Sequence, residues 1–253
     1  MTDAYLQHRN RFGLLAKDYM KHRRGYPNTV YEAILQHLPA REIDALDVGC
    51  GTGIVTYELA TFCHYVIGTD KEEGMIEEAK LHAPSNCHFL VSPAETLPFP
   101  NSSFDLITVA QAFHWFDHEK TLGEFRRIIR PDSLIVIFRK RAKDGSRILA
   151  DFVWPVLDKY AERSEIQEIQ SDFSILRMVS FASCEVINIP YEELYTPDEY
   201  LGFLRSHSVY NLVPGNQREE YLNDMRKEMA NHLEEGNVVI RGIIEMWLLR
   251  SAV

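Results

Sequence analysis

Residues 46–53 read Leu-Asp-Val-Gly-Cys-Gly-Thr-Gly, an acidic residue near the end of an apolar run followed by glycines at alternate positions. The run at 43–48 is typical of a short buried strand, and the sequence from Ile54 onward has a helical pattern. The glycines are therefore predicted to form a strand-to-helix turn. Because glycine has no Cβ and accepts positive φ, such a turn lets a ligand approach its backbone closely.

The spacing of the glycines indicates the kind of ligand. A dinucleotide-binding turn runs G-x-G-x-x-G and holds a pyrophosphate at the helix N-terminus, whereas Ile54 here stands where the last glycine would be. Asp47 would place negative charge near a pyrophosphate but would suit a ligand that carries an ammonium or sulfonium group. The pattern favours S-adenosylmethionine, with a ligand-free glycine turn as the alternative.

A second acidic residue, Asp70, follows the apolar run at 65–69. Its separation from the glycine loop is about the ~20 residues at which a carboxylate meets ribose hydroxyls in doubly wound folds. Both hydroxyls can donate to one carboxylate, so Asp70 is predicted to bind the ribose. The alternative is that Asp70 caps a helix beginning near Glu72.

Three further segments, 70–75, 93–99 and 103–107, occur in an order that resembles the class I S-adenosylmethionine-dependent methyltransferases. The resemblance implies that Met75 lies on the adenine, that Ala94 and Glu95 edge it, and that Gln111 lies beside the methionine part. In the alternative interpretation, Met75 is a core side chain that only fills space. The complete set of cofactor-binding residues predicted from the loop and the resemblance is Tyr19, Arg23, Asp47, Gly49, Cys50, Gly51, Gly53, Asp70, Lys71, Met75, Ala94, Glu95 and Gln111.

A narrower resemblance, to the trans-aconitate methyltransferase-like group, is carried by the segments 12–27, 110–116 and 204–208. That group methylates small molecules. The likeness implies that Tyr19 and Arg23 close over the methionine end of the cofactor, where an arginine can pair with its carboxylate.

Alternating strands and helices predict an α/β fold with a parallel sheet covered on both faces. With the family resemblance, this becomes a doubly wound, seven-stranded, mostly parallel Rossmann-like sheet whose last strand is antiparallel. The predicted strands are 43–48, 65–69, 87–91, 104–109, 133–138, 186–189 and 238–249. Asp117 is predicted to cap one helix, and the spacing of Thr196 and Glu199 predicts a capping box on another.

The expected organisation is one methyltransferase domain over 1–253. Its parts would be an N-terminal cap, a cofactor-binding core, and a completion of the sheet that carries a helical lid over the carboxyl ends of the strands. These parts are assigned to 1–27, 28–140 and 141–253, with the lid at about 190–235.

Composition limits the partners. The formal net charge of −10 disfavours nucleic acid, whose binding depends on phosphate neutralisation by lysine and arginine. We find no apolar run of the ~18 to 20 residues that a membrane span needs and no secretory leader pattern, so a cytoplasmic location is expected.

The four cysteines are scattered, which argues against a zinc site or disulfides, and no metal is predicted. The basic runs 21–24 and 139–143 are expected to be solvated surface. The oligomeric state is open.

His114 and Trp115 follow the fourth strand, where an acceptor would meet the methyl group. Holding the acceptor in line can lower the barrier by roughly 7 to 11 kcal/mol, so positioning is the main catalytic task expected. A carboxylate acceptor needs no base, whereas a hydroxyl or carbon acid needs one, and His114 is then the candidate, with Trp115 as a positioning residue. His114 could equally serve only to close the pocket.

The preferred function is O-methylation of a small anionic metabolite such as a carboxylic acid, with Arg205 and Arg241 as a candidate fork for its carboxylate. Both arginines could equally be surface residues. The alternatives are C- or O-methylation of a quinone or phenol precursor with His114 as base, and a non-catalytic S-adenosylmethionine-binding protein. A Rossmann-type oxidoreductase is disfavoured by the glycine spacing.

Overall fold

In the computed structural model, the described residues are 21–142, 152–161, 173–178 and 181–251. The strands are β1 Asp44–Val48, β2 Tyr65–Asp70, β3 Cys87–Val91, β4 Phe104–Ala110, β5 Ile129–Ala142, β6 Ser183–Tyr195 and β7 Val238–Arg250. The α-helices are α1 Asn28–Gln36, α2 Ile54–Leu59, α3 Glu73–Lys80, α4 His118–Ile128, α5 Trp154–Leu157, α6 Ile175–Met178, α7 Pro197–Arg205 and α8 Arg218–Met229.

The strands form a seven-stranded sheet in the order β3-β2-β1-β4-β5-β7-β6. β1 pairs in parallel with both β2 and β4, and the pairs β2–β3 and β4–β5 are also parallel. The chain thus winds outward from β1 in two directions, which confirms the predicted doubly wound, mostly parallel sheet. In such sheets, ligands bind at the carboxyl ends of the strands where the winding reverses, here the ends of β1 and β4.

The described residues divide into two compact units, and the division falls within β5, β6 and β7. One unit comprises 25–140, 173–178, 181–189 and 244–251; the other comprises 21–24, 141–142, 152–161 and 190–243. The single-domain organisation and its segment boundaries stay a prediction.

Each unit has an apolar core of its own. In the first, strand residues such as Leu46, Ile107 and Ile135 pack with Phe125 of α4. Burial of this apolar surface stabilises the central strands, and the glycine loop follows the carboxyl end of one of them, β1. In the second unit, Tyr200 of α7 and Met225 of α8 are buried in a separate cluster.

The local helix signals were predicted correctly at two helices. The Asp117 carboxylate accepts a hydrogen bond from the Lys120 amide at the start of α4. Thr196 and Glu199 form the reciprocal capping box at the start of α7, with Pro197 as its first residue. Both pairs satisfy backbone amides that have no partner inside the helix.

Candidate cofactor and acceptor site

The glycine loop joins the end of β1 to the start of α2, as predicted. All three of its alternate glycines have positive φ: 69° at Gly49, 55° at Gly51 and 87° at Gly53. A residue with a Cβ would be strained at each position. The alternation of glycine is therefore a requirement of the backbone path itself.

Backbone amides pin this loop to the end of β2. The amides of Gly49 and Cys50 both donate to the carbonyl oxygen of Thr69, at 2.7 and 2.9 Å. The Gly51 amide donates to Asp70 Oδ2 at 3.0 Å. The loop and the acidic end of β2 consequently form one hydrogen-bonded unit.

Asp70 lies at the end of β2 and is half-buried. Besides the Gly51 amide, it accepts a hydrogen bond from the Glu72 amide at 2.9 Å through Oδ1. Burial raises the pKa of its carboxyl group, and the nearby Glu72 adds to this, while the two amide bonds oppose it. The helix-cap interpretation and the ribose interpretation are compatible, because an ionised carboxylate has about four lone-pair sites and the amides occupy two.

Asp47 lies beneath the loop, with 1% of its surface exposed. Its two oxygens accept hydrogen bonds from the hydroxyls of Thr56, at 2.7 Å, and Thr108, at 2.8 Å. Burial raises its pKa to about 6, an effect that the charge of Asp70 increases and the threonine bonds oppose. These contacts support a role in joining β1, α2 and β4. Direct contact of Asp47 with a ligand stays a prediction.

The remaining predicted cofactor residues of this unit differ in exposure. Met75 and Ala94 are buried, at 3% and 5% exposure, so both side chains contribute to packing in this structure. Glu95 is half-buried and accepts a hydrogen bond from the Asp117 amide at 2.9 Å. Lys71 forms an ion pair with Glu72 at 3.3 Å.

Cys50 is half-buried within the loop, and burial raises its thiol pKa well above the ordinary value. The nearby carboxylates of Asp70 and Asp47 act in the same direction. Since the thiolate is the reactive form of cysteine, burial disfavours reaction at this thiol. Contact of Cys50 with the cofactor stays a prediction.

The acceptor side begins directly after β4. Gln111 has a φ of 53°, unusual for a residue with a side chain, and its amide donates to the Phe138 carbonyl at 3.0 Å. A short 3₁₀ turn follows over Phe113–Trp115. Backbone strain of this kind concentrates at functional sites, which is consistent with the predicted position of Gln111 beside the methionine part.

His114 lies in this turn, with its ring centroid 5.0 Å from that of Trp115. Burial lowers its pKa to about 4, and the positive charge of Arg139 and the proximity of His118 contribute further. The imidazole is therefore neutral at physiological pH.

Two of the predicted cofactor residues lie near the N-terminus of the sequence. Tyr19 lies outside the described residues. Arg23 belongs to the other compact unit, where its Nε donates to Ser206 Oγ at 3.0 Å and its guanidinium lies 5.0 Å from the centroid of the Phe203 ring. Its role at the cofactor stays a prediction.

The predicted carboxylate fork is corrected at Arg241. Its guanidinium donates to both carboxylate oxygens of Glu234 at 2.8 Å and to Glu192 at 2.7 Å, and the side chain is 53% exposed. The arginine thus neutralises carboxylates of its own chain at the surface. Arg205, in the last turn of α7, is exposed.

Sequence reasoning missed Thr56 and Thr108, which hold Asp47. The available signal was weak: each is a hydroxyl residue within a mostly apolar segment, one in α2 and one in β4. Arg139 was also missed, because its segment was interpreted as solvated surface beyond the end of the fifth strand.

Neither a metal cluster nor a membrane span occurs in the described residues. They contain no group of three or more histidine, cysteine or acidic side chains placed to hold a metal ion. No helix among them is both long and apolar enough to cross a bilayer.

The methyl transfer that the sequence predicts for this protein is expected to be independent of metal ions. Metal-assisted transfer requires clustered oxygen ligands that orient the acceptor. Treatment with EDTA should leave the rate unchanged, as measured by formation of S-adenosylhomocysteine. Loss of activity with EDTA and its recovery with Mg²⁺ would contradict the expectation.

A family model described as a methyltransferase domain matches residues 46–137, which span β1 to β5 and contain the glycine loop, Asp70 and the His114 turn. A solved structure of a proposed type II methyltransferase from Anaeromyxobacter dehalogenans is also similar. It has a TM-score of 0.69 and 24% identity, and the match covers 91% of this chain and 97% of that one. This second likeness shows the fold.

Several relatives are similar in sequence. The uncharacterized methyltransferase Rv3342 of Mycobacterium tuberculosis is 26% identical over 83% of this chain and 82% of its own. A proposed methyltransferase of Dictyostelium discoideum is 35% identical over 51% of this chain, and the match spans about half of that relative's length, 48%. The malonyl-[acyl-carrier protein] O-methyltransferase of Erwinia pyrifoliae is 30% identical over 49% of this chain and 48% of its own.

The glycine loop, the doubly wound sheet and these likenesses agree with one another. The narrower likeness to the trans-aconitate methyltransferase-like group stays a prediction. Residues 46–137 of this chain are a class I S-adenosylmethionine-dependent methyltransferase domain.

Proposed function

We propose that this methyltransferase transfers the methyl group to a carboxylate oxygen of a small anionic acceptor. S-adenosylmethionine, the cofactor of the family, supplies an electrophilic methyl group on a sulfonium sulfur. The task left to the protein is to bind the cofactor, to hold the acceptor oxygen in line with that methyl group and to exclude water.

The residues at the loop fit the cofactor. Gly49, Gly51 and Gly53 leave the backbone open to close approach, as a nucleoside ligand needs. Asp70 is held in place by two amides and keeps lone pairs for the two ribose hydroxyls. Asp47 sets the position of the loop from below through Thr56.

The observation that carries the choice of acceptor is the burial of His114 in the turn after β4, which lowers its pKa to about 4. A phenol has a pKa of about 10, so transfer of its proton to this imidazole is uphill by about 6 units, or roughly 8 kcal/mol. A carboxylic acid, with a pKa of about 4, is already ionised at neutral pH and needs no base. The environment of His114 therefore favours a carboxylate acceptor over a phenol or carbon acid.

A neutral imidazole still has a use in such a site. One ring nitrogen donates a hydrogen bond and the other accepts one. His114 can thus orient an acceptor by hydrogen bonding, with Trp115 beside it as an apolar wall. We propose a positioning role for both residues.

One of the relatives agrees with this chemistry. The Erwinia pyrifoliae protein is named for O-methylation of a malonyl-acyl-carrier protein, and a malonyl group carries a carboxylate.

A cytoplasmic location and a lid formed by 190–235 are further parts of the proposal. The lid segment contains α7 and α8, which supply the helices predicted for it.

The proposed function is tested with a panel of acceptors. Di- and tricarboxylic acids, phenols, amines and quinone precursors are each incubated with the protein and S-adenosylmethionine, and product is identified by mass spectrometry. Methyl esters should lead the products. Preferred methylation of a phenol or quinone would overturn the proposal, and binding of S-adenosylmethionine without turnover of any class would favour the non-catalytic alternative.

The rate with an acid acceptor is expected to be nearly constant between about pH 7 and 9. The acceptor carboxylate, with a pKa of about 4, and His114 are both fully deprotonated in this range, so neither titrates. A phenol acceptor would instead gain rate with rising pH as its own ionisation begins. Initial rates at saturating cofactor measure the profile.

His114→Gln keeps hydrogen-bonding capacity but cannot act as a base, and it provides the matched variant for the pH experiment. A positioning role predicts that it retains a substantial part of the activity, within about tenfold of the original, whereas loss of general-base catalysis typically costs about 10² to 10⁴. A loss of the larger size would contradict the positioning role.

A further inference from the structure

The basic run at 139–143 differs from its sequence interpretation. β5 continues to Ala142, so Arg139 and Lys140 lie within a strand. The Arg139 side chain is only 21% exposed, in contrast to the solvated surface that was expected. Arg139 is thus a half-buried charge near the carboxyl end of β5, at the edge of the sheet where the ligand site is expected.

Arg139 is held from two sides. Its Nε and Nη2 atoms both lie 2.8 Å from Glu245 Oε2, and Glu245, on β7, is 13% exposed. The guanidinium carbon also lies 4.0 Å from the centroid of the Phe173 ring, within the range of a cation–π interaction. The charged group therefore has a fixed position.

That position is next to the acceptor turn. Ala110 of β4 pairs with Phe138 of β5, and the Gln111 amide donates to the Phe138 carbonyl, so Arg139 is the residue that follows. The Phe173 ring under the guanidinium meets the Phe113 ring edge-on, with centroids 5.2 Å apart. Phe113 is the residue before His114.

The positive charge of Arg139 acts on the imidazole of His114. Among the groups that lower the pKa of His114, Arg139 comes directly after burial, and His118 follows. The guanidinium of Arg139 therefore contributes positive potential at the imidazole, and positive potential favours an anion placed beside it.

We propose that Arg139, fixed by Glu245 and Phe173 beside the His114 turn, is the residue that gives the site its preference for an anionic acceptor. This inference rests on the proposed function and adds the residue that determines specificity. The proposal gives the first residue of the basic run, Arg139, a role at the acceptor site. The next residue, Lys140, instead donates to the Gly25 carbonyl at 2.9 Å.

The test replaces the charge without leaving its partner unpaired. Arg139→Gln alone would leave a buried carboxylate, so the main variant is the double substitution Arg139→Gln with Glu245→Gln. For the best acid of the panel, its KM should rise at least tenfold. The affinity for S-adenosylmethionine and the inhibition constant of a neutral ester or amide of the same acceptor, which can occupy the site but not accept the methyl group, should change less than about threefold. Lys140→Gln, which removes a charge from the same strand, should leave the acid KM within that margin.

Glu245→Gln separates the charge of Arg139 from a structural effect of the ion pair. This variant keeps the guanidinium and removes its carboxylate, so the acid KM should stay the same or fall. If Glu245→Gln and the double variant raise the acid KM equally, the pair only supports the fold and the inference is overturned.

A titration of His114 gives a readout that needs no acceptor. Ring ¹⁵N NMR signals, assigned by their loss in His114→Gln, should show a pKa higher by at least about half a unit in the double variant. An unchanged pKa would overturn the inference about Arg139 and leave the proposed function intact. A wild-type enzyme that methylates only neutral acceptors would instead overturn the proposed function, and with it the preference assigned to Arg139.

Discussion

Gly49→Ala is expected to abolish measurable binding of S-adenosylmethionine and to lower the free energy of unfolding by about 2 to 5 kcal/mol. An alanine Cβ at this position would lie 2.5 Å from the Cβ of Ala112 and 3.0 Å from the Phe116 ring. The backbone φ of 69° adds strain of about 1 to 2 kcal/mol for any residue with a side chain. Because Ala112 and Phe116 flank the His114 turn, relief of the clash would displace the acceptor side as well.

Gly123→Ala is the matched control for this substitution. Gly123 lies in α4 and is exposed, and outside the backbone of its own helix no atom lies within 4 Å of the place that an alanine methyl group would take. The substitution should leave cofactor binding unchanged and stabilise the protein by about 0.5 to 1 kcal/mol through helix propensity. Urea denaturation and isothermal titration measure both variants. Equal behaviour of the two would contradict the backbone requirement at Gly49.

The second large effect is expected at Asp70, where Asp70→Ala should raise the dissociation constant for S-adenosylmethionine at least tenfold. The substitution removes charge-assisted hydrogen bonds to the ribose, worth about 1.5 to 3 kcal/mol each. It also removes the carboxylate oxygens that accept hydrogen bonds from two amides. The Gly51 amide, 3.0 Å from Asp70 Oδ2, ties the glycine loop to β2, and the Glu72 amide donates to Oδ1. Isothermal titration with S-adenosylmethionine and S-adenosylhomocysteine measures the change.

Glu77→Ala serves as the control for Asp70→Ala, since Glu77 is an exposed carboxylate on the adjoining helix α3. It should leave the titration unchanged. Adenosine, which carries the ribose but no methionine part, provides a second comparison and should lose affinity in Asp70→Ala by a similar factor. A folded Asp70→Ala protein with an unaltered titration curve would rule out the ribose assignment.

The elements that were predictable from sequence are those set by neighbours along the chain. The strand, turn and helix around the glycine loop follow from periodicity and from three glycines whose φ values are all positive. The capping box of Thr196 and Glu199 is likewise a local pattern, contained within a single helical turn. The doubly wound, mostly parallel sheet followed from the alternation of strands and helices together with the family resemblance, whereas the order of its strands is a finding of the structure.

Other features depend on contacts between distant parts of the chain, and the sequence alone did not show them. The carboxylate of Asp47 is satisfied by Thr108, 61 residues away, so its burial could not be inferred from the loop motif. Arg241 meets Glu192 from a separate strand, 49 residues distant, so the sequence alone did not show that this arginine pairs with carboxylates of its own chain. Arg139 was assigned to the surface because it belongs to a short basic run, but β5 extends to Ala142, beyond its predicted end, and includes it.

Gln111 illustrates how the site constrains the engineering of this protein. A left-handed backbone in a residue with a side chain costs about 1 to 2 kcal/mol, so Gln111→Gly would be a ready route to a higher melting temperature. The same change would remove a side chain from the edge where the acceptor turn begins and would loosen that turn. A thermostability screen without an activity assay would therefore select variants at this position that have a higher melting temperature and a lower rate of methyl transfer.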